Sequence, residues 1–327
     1  MRPRLSAKYI PLLATALVML ILYLVGCVSF PNFFSLRVAV DLFGDNAFLA
    51  VAAMGATFVI LSGGIDLSVG SVVAFTSTFI AVAVQHGVNP MVAIGLSLVL
   101  GAILGMGMGW LIHWFELPPF LVTLAGMFFV RGMGFVVNPQ SLAISHPFFL
   151  ETVGNLSIPV GNGVSIPFTA DCFVIVLLLA MFVAHYTRFG RYIYALGGDE
   201  NSARLMGLPV SRTKVLTYTL SGFCSALAGV VYTMYTQSGN PASCVGLELD
   251  AIASVVIGGT LLSGGVGFMA GTAMGVLILG LIQTLITFQG NLNTWWTKIV
   301  VGLLVLIFIL LQNMVSAFTG RVGGKRH

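Results

Sequence analysis

The sequence predicts an all-α fold, a polytopic transmembrane helical bundle of about ten membrane segments that includes short broken or re-entrant ones and an internal repeat. Three observations carry this. Of the 327 residues, 58% are hydrophobic and only 7% charged, and the mean hydropathy is +1.03; soluble domains carry about 25% charged residues. The apolar residues fall in runs of about 20, the length that crosses a bilayer. Two short apolar segments are interrupted by glycine at related places in the chain, which is the sequence-level pointer to a transporter's central pathway.

The expected spans are Tyr9 to Ser29, Ala47 to Gly63, Val69 to Gln85, Met91 to Phe115, Leu117 to Val137, Ala170 to Thr187, Val215 to Gln237, Val266 to Phe288 and Trp295 to Phe318. The remaining apolar segment, Ala251 to Ser263, is too short to cross and reads as broken or re-entrant. The basic residues are clustered: Arg2, Arg4 and Lys8 before the first span; Arg188, Arg191, Arg204, Arg212 and Lys214 in one polar loop; Arg321, Lys325 and Arg326 at the end. The positive-inside rule puts all three clusters, and so both termini, in the cytoplasm. The stretches Asn138 to Asp171 and Ser238 to Asp250 carry acidic residues without Lys or Arg and read as outside. Six crossings return the loop to the cytoplasm and four more return the C-terminus, provided the short segment counts as an excursion. Trp295 and Trp296 then anchor the outer end of the last span.

The 39 glycines include two ladders, Gly101, Gly105, Gly109 and Gly267, Gly271, Gly275. Small residues at this spacing let helices approach closely, within the chain or between subunits. The net charge of +4 is segregated into loops and offers no nucleic-acid face. The four cysteines are scattered, without a CxxC pair or histidines at ligand spacing, so neither a disulfide framework nor a metal site is supported. "LVGC", Leu24 to Cys27, resembles a lipoprotein cleavage site but closes a full-length span, and reads as part of an uncleaved first helix.

The repeat pairs "GGIDLSVG", Gly63 to Gly70, with "GGTLLSGG", Gly258 to Gly265, in a shared GGxxLSxG frame. Asp66, alone among the charges between Asp45 and Glu116, costs on the order of 3 kcal/mol if left in hydrocarbon. Where glycines interrupt the helix it faces backbone donors, Ser68 or water. Arg131, in "GMFFVRGMG", either snorkels, lines water or meets a carboxylate on another helix, Asp66 being one candidate. The pathway candidates are therefore Asp66, Ser68, Arg131, Gly258, Gly259 and Ser263. In the polar loop, "GGDENSARLMGLPVSR" reads as a short helix, with Asp199 or Asn201 as N-cap, Ser202 to Met206 as body, Gly207 as stop and Pro209 beyond. It is either a plug for a partner's groove or a solvated turn.

Catalytic signatures are absent. "LSGG" occurs twice, but without a phosphate-binding GxxxxGK[ST] loop the chain does not hydrolyse ATP unaided. There is no HExxH or GxSxG, and the five histidines are well separated. The physical reading leaves two rivals open: an ion-coupled secondary transporter of a small polar solute, with Asp66 as the ion site, and an intramembrane enzyme with a dyad assembled from distant helices.

"TFVILSGGIDLSVGS", "YALGGDENSARLMGL" and "LELDAIASVVIGGTLLSGGVG" resemble, over nearly the whole chain, the permeases of bacterial ABC importers for simple sugars, the ribose-type branch of a group that also includes branched-chain amino-acid permeases. "DNAFLAVAAMGATF", "TLAGMFFVRG", "YTQSG" and "WWTKI" look most like a permease of a galactofuranose importer. The resemblance implies a single transmembrane domain over residues 1–327, multi-pass in the bacterial inner membrane, with residues 188–214 as a cytoplasmic coupling loop. It implies pairing with a second permease in a heterodimer, cytoplasmic ATPase subunits that use the ATP and magnesium, a periplasmic sugar-binding protein and surrounding lipid, and no cofactor on this chain. Gly198, Asp199, Glu200, Arg204 and Gly207 match the ATPase-coupling region, although Asp199 and Ser202 stand where that pattern more often has Asn and Ala.

Overall fold

The computed structural model describes residues 10–31, 33–152, 156–161, 163–290 and 295–323. Arg2, Arg4, Lys8, Lys325 and Arg326 lie outside the described residues. In chain order the helices are α1 (Ile10–Ser29), α2 (Leu36–Asp45), α3 (Ala47–Leu61), α4 (Val69–Gln85), α5 (Pro90–Trp114), α6 (Pro119–Val137), α7 (Phe168–Tyr186), α8 (Arg188–Gly198), α9 (Glu200–Leu205), α10 (Val210–Thr236), α11 (Leu247–Ile257), α12 (Met269–Gln289) and α13 (Trp295–Gly323). Among the described residues seven are long and apolar enough to cross a membrane, or eight when α2 and α3, bent by 52°, are taken as one span. The shorter α4 and α11 complete an all-α membrane bundle of about ten segments.

Burial sorts the helices into a centre and a shell. In α10 and α12, 61% of the apolar window is buried, against 28% in α5 and 11% in the first span. α3 is apolar on every side, and apart from Phe48 all its residues are buried; a helix hydrophobic all round belongs in the interior. The shell helices instead turn Leu, Val and Phe outwards, among them Leu20, Val99, Phe128, Leu178 and Leu303, as lipid contact requires.

Both glycine ladders are used within the chain. On α5, Gly101 lies on Gly222 and Ala226, Gly105 on Tyr218 and Gly222, and Gly109 on Val215 and Tyr218. The partners descend as the ladder ascends, so α5 and α10 run antiparallel at a separation no side chain would allow. In the second ladder Gly267 lies on Thr260, Gly271 on the Gly258 carbonyl and Gly275 on the Ser254 carbonyl, which seats α12 against α11.

Three features differ from the sequence expectation. α2 has only ten residues, below the length of a span, and Ser35 caps it by accepting from the Val38 N–H at 3.2 Å. The polar loop holds a full amphipathic helix, α8, burying Gly190, Ile193 and Leu196 along one face. The segment Ala251 to Ser263 is half helix and half turn, because α11 begins earlier, at Leu247, and stops at Ile257. Two small antiparallel ladders cross-brace the end away from α8 and α9: β1 (Leu142–Ala143) on β4 (Ser238–Gly239), and β2 (Ile158–Gly161) on β3 (Val164–Ile166).

Candidate functional site

The two interrupted helices end in the same way. At the end of α3 the Gly63 N–H donates to the Ile60 carbonyl at 2.9 Å and the Gly64 N–H to the Val59 carbonyl at 3.0 Å, with Gly63 at φ 82°. At the end of α11 the Gly259 N–H donates to Val256 at 2.9 Å and the Thr260 N–H to Val255 at 3.2 Å, with Gly259 at φ 88°. Both are Schellman endings, in which a left-handed glycine lets the last carbonyls be satisfied without water. Gly63 is thus the conformational counterpart of Gly259, one residue out of the GGxxLSxG frame that pairs it with Gly258.

Between Gly63 and α4 the chain runs without regular secondary structure, and here Asp66 is held. It is 2% exposed. Its Oδ1 accepts from the Ser68 N–H at 2.9 Å and the Ser68 hydroxyl at 2.6 Å, and its Oδ2 accepts from the Ser221 hydroxyl of α10 at 2.7 Å. Bonds to a charged acceptor contribute about 1.5–3 kcal/mol each, so three of them offset the order of 3 kcal/mol that burial in an apolar layer costs. The carboxylate also lies at the N-terminal end of α4, whose unpaired N–H groups favour negative charge. Thr123 of α6 ties down the same crossing by donating to the Ile65 carbonyl at 3.2 Å.

Arg131 is not paired with Asp66. Its Nη1 donates to the carbonyls of Pro241 at 2.8 Å and Ser243 at 2.5 Å, and the carboxylate charge it feels most is that of Glu248. Glu248, 9% exposed on α11, accepts from the Gly246 N–H at 3.2 Å, and its other oxygen lies against Gly70 in the first turn of α4. A carboxylate there again meets a positive helix end, and it links the start of one interrupted segment to the other. Ser221 and Glu248 are the residues that sequence reasoning missed; they come from 155 and 178 positions beyond their partners' neighbourhood at Asp66 and Gly70, and no local spacing marks them.

The remaining candidates lie lower in the bundle. Gly258 packs on the backbone of Gly271, and Gly259 against Pro11. Ser263 is exposed, in the turn beside α8. At the opposite end, a cavity of about 550 Å³ opens among α2, α3, α10, α11 and α12, lined by Arg37, Asp41, Asp45, Tyr235, Asp250 and Gln283. Lys298 reaches across to Asp250 at 2.6 Å.

Of the two caps that the sequence offers, α9 uses Asp199, and its body runs Glu200–Leu205, starting two residues before the expected Ser202. Asp199 caps it, accepting from the Ser202 N–H at 2.6 Å, and the Ser202 side chain together with this backbone bond holds the Asp199 carboxyl below its ordinary value of 3.8. Gly207 at φ 75° closes it in a third Schellman ending, the Leu208 N–H donating to Ala203 at 3.1 Å. Glu200 is bridged by Lys214 of α10 at 2.7 Å and by Arg204 at 3.3 Å. The tip leaves Leu205 89% and Met206 68% exposed, an apolar knob on an otherwise charged element.

A family model described as the branched-chain amino acid transport system / permease component matches residues 38–310. The chain belongs to this permease family. A permease component is a transport component, which agrees with the missing catalytic signatures. Among similar proteins, the inner membrane ABC transporter permease protein YjfF of Escherichia coli is 49% identical over 94% of this chain and 92% of its own length. The fructose import permease protein FruG of Bifidobacterium longum is 36% identical over 97% of this chain and 94% of its own. The ribose import permease protein RbsC of Escherichia coli is 37% identical over 86% and 88%. No solved structure matches.

Proposed function

We propose that this permease is the membrane-spanning subunit of an ATP-driven ABC importer that carries a simple sugar across the bacterial inner membrane, with galactofuranose as the first sugar to test. The observation that carries the reading is the near full-length similarity to permeases named for fructose and ribose import. The partners are a cytoplasmic ATPase, which uses ATP and magnesium, a second permease subunit and a periplasmic sugar-binding protein; the loop end with α8 and α9 faces the ATPase, and both termini are cytoplasmic. The capped α9, with Leu205 and Met206 projecting from its tip, has the form of a helix that fills a partner's groove.

A sugar is uncharged and rich in hydroxyls, so its path needs modest polarity and no fixed ion site. Asp66, engaged by three protein donors, serves as the lock of a broken helix, while alternating access comes from ATP-driven rocking around it. The test is to purify the tagged chain in mild detergent, identify the subunits that accompany it, and measure ATP hydrolysis with sugar-loaded binding proteins. Stimulation by a galactofuranose-loaded binding protein supports the specific reading. Absence of an ATPase subunit under every mild condition overturns the general one.

A further inference from the structure

Three turns meet at the loop end of the bundle without a side chain between them. The Gly265 N–H, from the turn after α11, donates to the Leu61 carbonyl at the end of α3 at 2.9 Å. Gly197, next to last in α8, is pressed onto the same pair: a Cβ placed there overlaps the Leu61 oxygen and the Gly265 nitrogen. A Cβ on Gly264 meets the Gly63 nitrogen at 2.8 Å and Gly197 Cα at 3.0 Å, and one on Gly265 meets Gly198 Cα at 2.9 Å. Gly63, Gly264 and Gly265 all have positive φ, so the turns are shaped by residues that tolerate this conformation without strain. Tyr194, one turn earlier on α8, donates to the Gly267 carbonyl at 2.8 Å and holds the same helix to the segment leading into α12.

A contact between side chains absorbs a shift by changing rotamers, whereas a contact between backbones has no such slack, and close-packed interiors pass strain on. We propose that this glycine junction is the joint at which displacement of α8 and α9 is delivered to both interrupted helices at once, with Gly197 as its positioning residue. The proposal rests on the ATP-driven reading above and adds to it where the movement enters and that the two breaks respond as one unit. A glycine outside the loop supplies the contrast: a Cβ on Gly95 of α5 meets nothing within 4 Å, whereas one on Gly197 meets only backbone.

The test compares Gly197→Ala with Gly95→Ala in the intact complex, reading sugar carried per ATP hydrolysed. Gly95→Ala keeps the wild-type ratio. Gly197→Ala keeps its ATPase subunit and its hydrolysis, while sugar per ATP falls by about tenfold, within the range typical of coupling between two sites. An unchanged ratio in Gly197→Ala, an equal loss in Gly95→Ala, or loss of the ATPase subunit from a stably folded Gly197→Ala chain overturns the proposal. If Gly197→Ala does not fold, hydrogen exchange on the wild-type complex decides: the Gly265 amide stays protected with and without ATP, and residues 62–64 and 263–264 change protection together. Release of that amide by ATP, or a response in one turn alone, overturns it. Failure of the underlying reading has a separate signature, a wild-type chain with no ATPase subunit.

Discussion

The two interrupted helices share an ending and differ in what holds them. The break after α3 is locked by side chains: Asp66 gathers Ser68 and Ser221, joining the crossing to α10. The break after α11 contains no charge and is held by backbone proximity, with Gly258 on Gly271 and Gly259 on Pro11. Its bonds to other elements come from neutral groups, Thr15 donating to the Ile257 carbonyl at 2.5 Å and Gln312 to Val256 at 3.1 Å. One break therefore tolerates a change of size better than a change of polarity, and the other the reverse.

Substitutions at each break sharpen that contrast. The largest effect is expected from Gly271→Leu, whose side chain has to occupy the position of the Gly258 carbonyl; with no flexible neighbour to yield, α11 and α12 separate and the chain is lost from the membrane, as measured by its detergent-stable yield. Asp66→Ala comes next. It strands two hydroxyls and an N–H in an apolar layer, each unsatisfied donor costing about 1–3 kcal/mol, while Asp66→Asn, of the same shape, retains most of the yield; equal thermal stability of the two variants would break the comparison. Ser221→Ala removes one bond to a charged acceptor and costs about 1.5–3 kcal/mol, read as a lowered unfolding temperature in detergent.

The smallest effect belongs to the loop helix outside both breaks. Because folding lowers the Asp199 pKa, its cap contributes fully above 3.8 and is lost as pH falls through the lower folded value. Asp199→Asn, also a good N-cap, keeps the Ser202 amide protected from exchange and removes this acid dependence; Asp199→Ala loses the protection at every pH.

What was legible in the sequence was local. The cap at Asp199 or Asn201, the stop at Gly207 and the glycine ladders are each specified within a few residues; the structure takes Asp199 for the cap and uses both ladders within the chain. Ser68 as a partner for Asp66 is two positions away and was equally accessible. Ser221 and the carbonyls of Pro241 and Ser243 were not, because a span's neighbours are set by packing of the whole bundle; Asp66 and Arg131 each found partners closer than one another. The short helices α2 and α8 escaped a reading tuned to runs of about 20 residues. The one-residue offset of the repeat arises because the left-handed position is Gly63 in one half and Gly259 in the other, and both halves offer two glycines in a row.

The burial of α3 on all sides also dictates an order of events during synthesis. Its neighbours include α10, α11 and α12, and its Thr57 hydroxyl pairs with that of Thr272 at 2.8 Å, 215 positions further on. A nascent chain halted after α7 has α3 covered by α7 and by none of these three, so much of its surface still lacks its later neighbours. The first third of the protein therefore completes its packing only when the last third has been made.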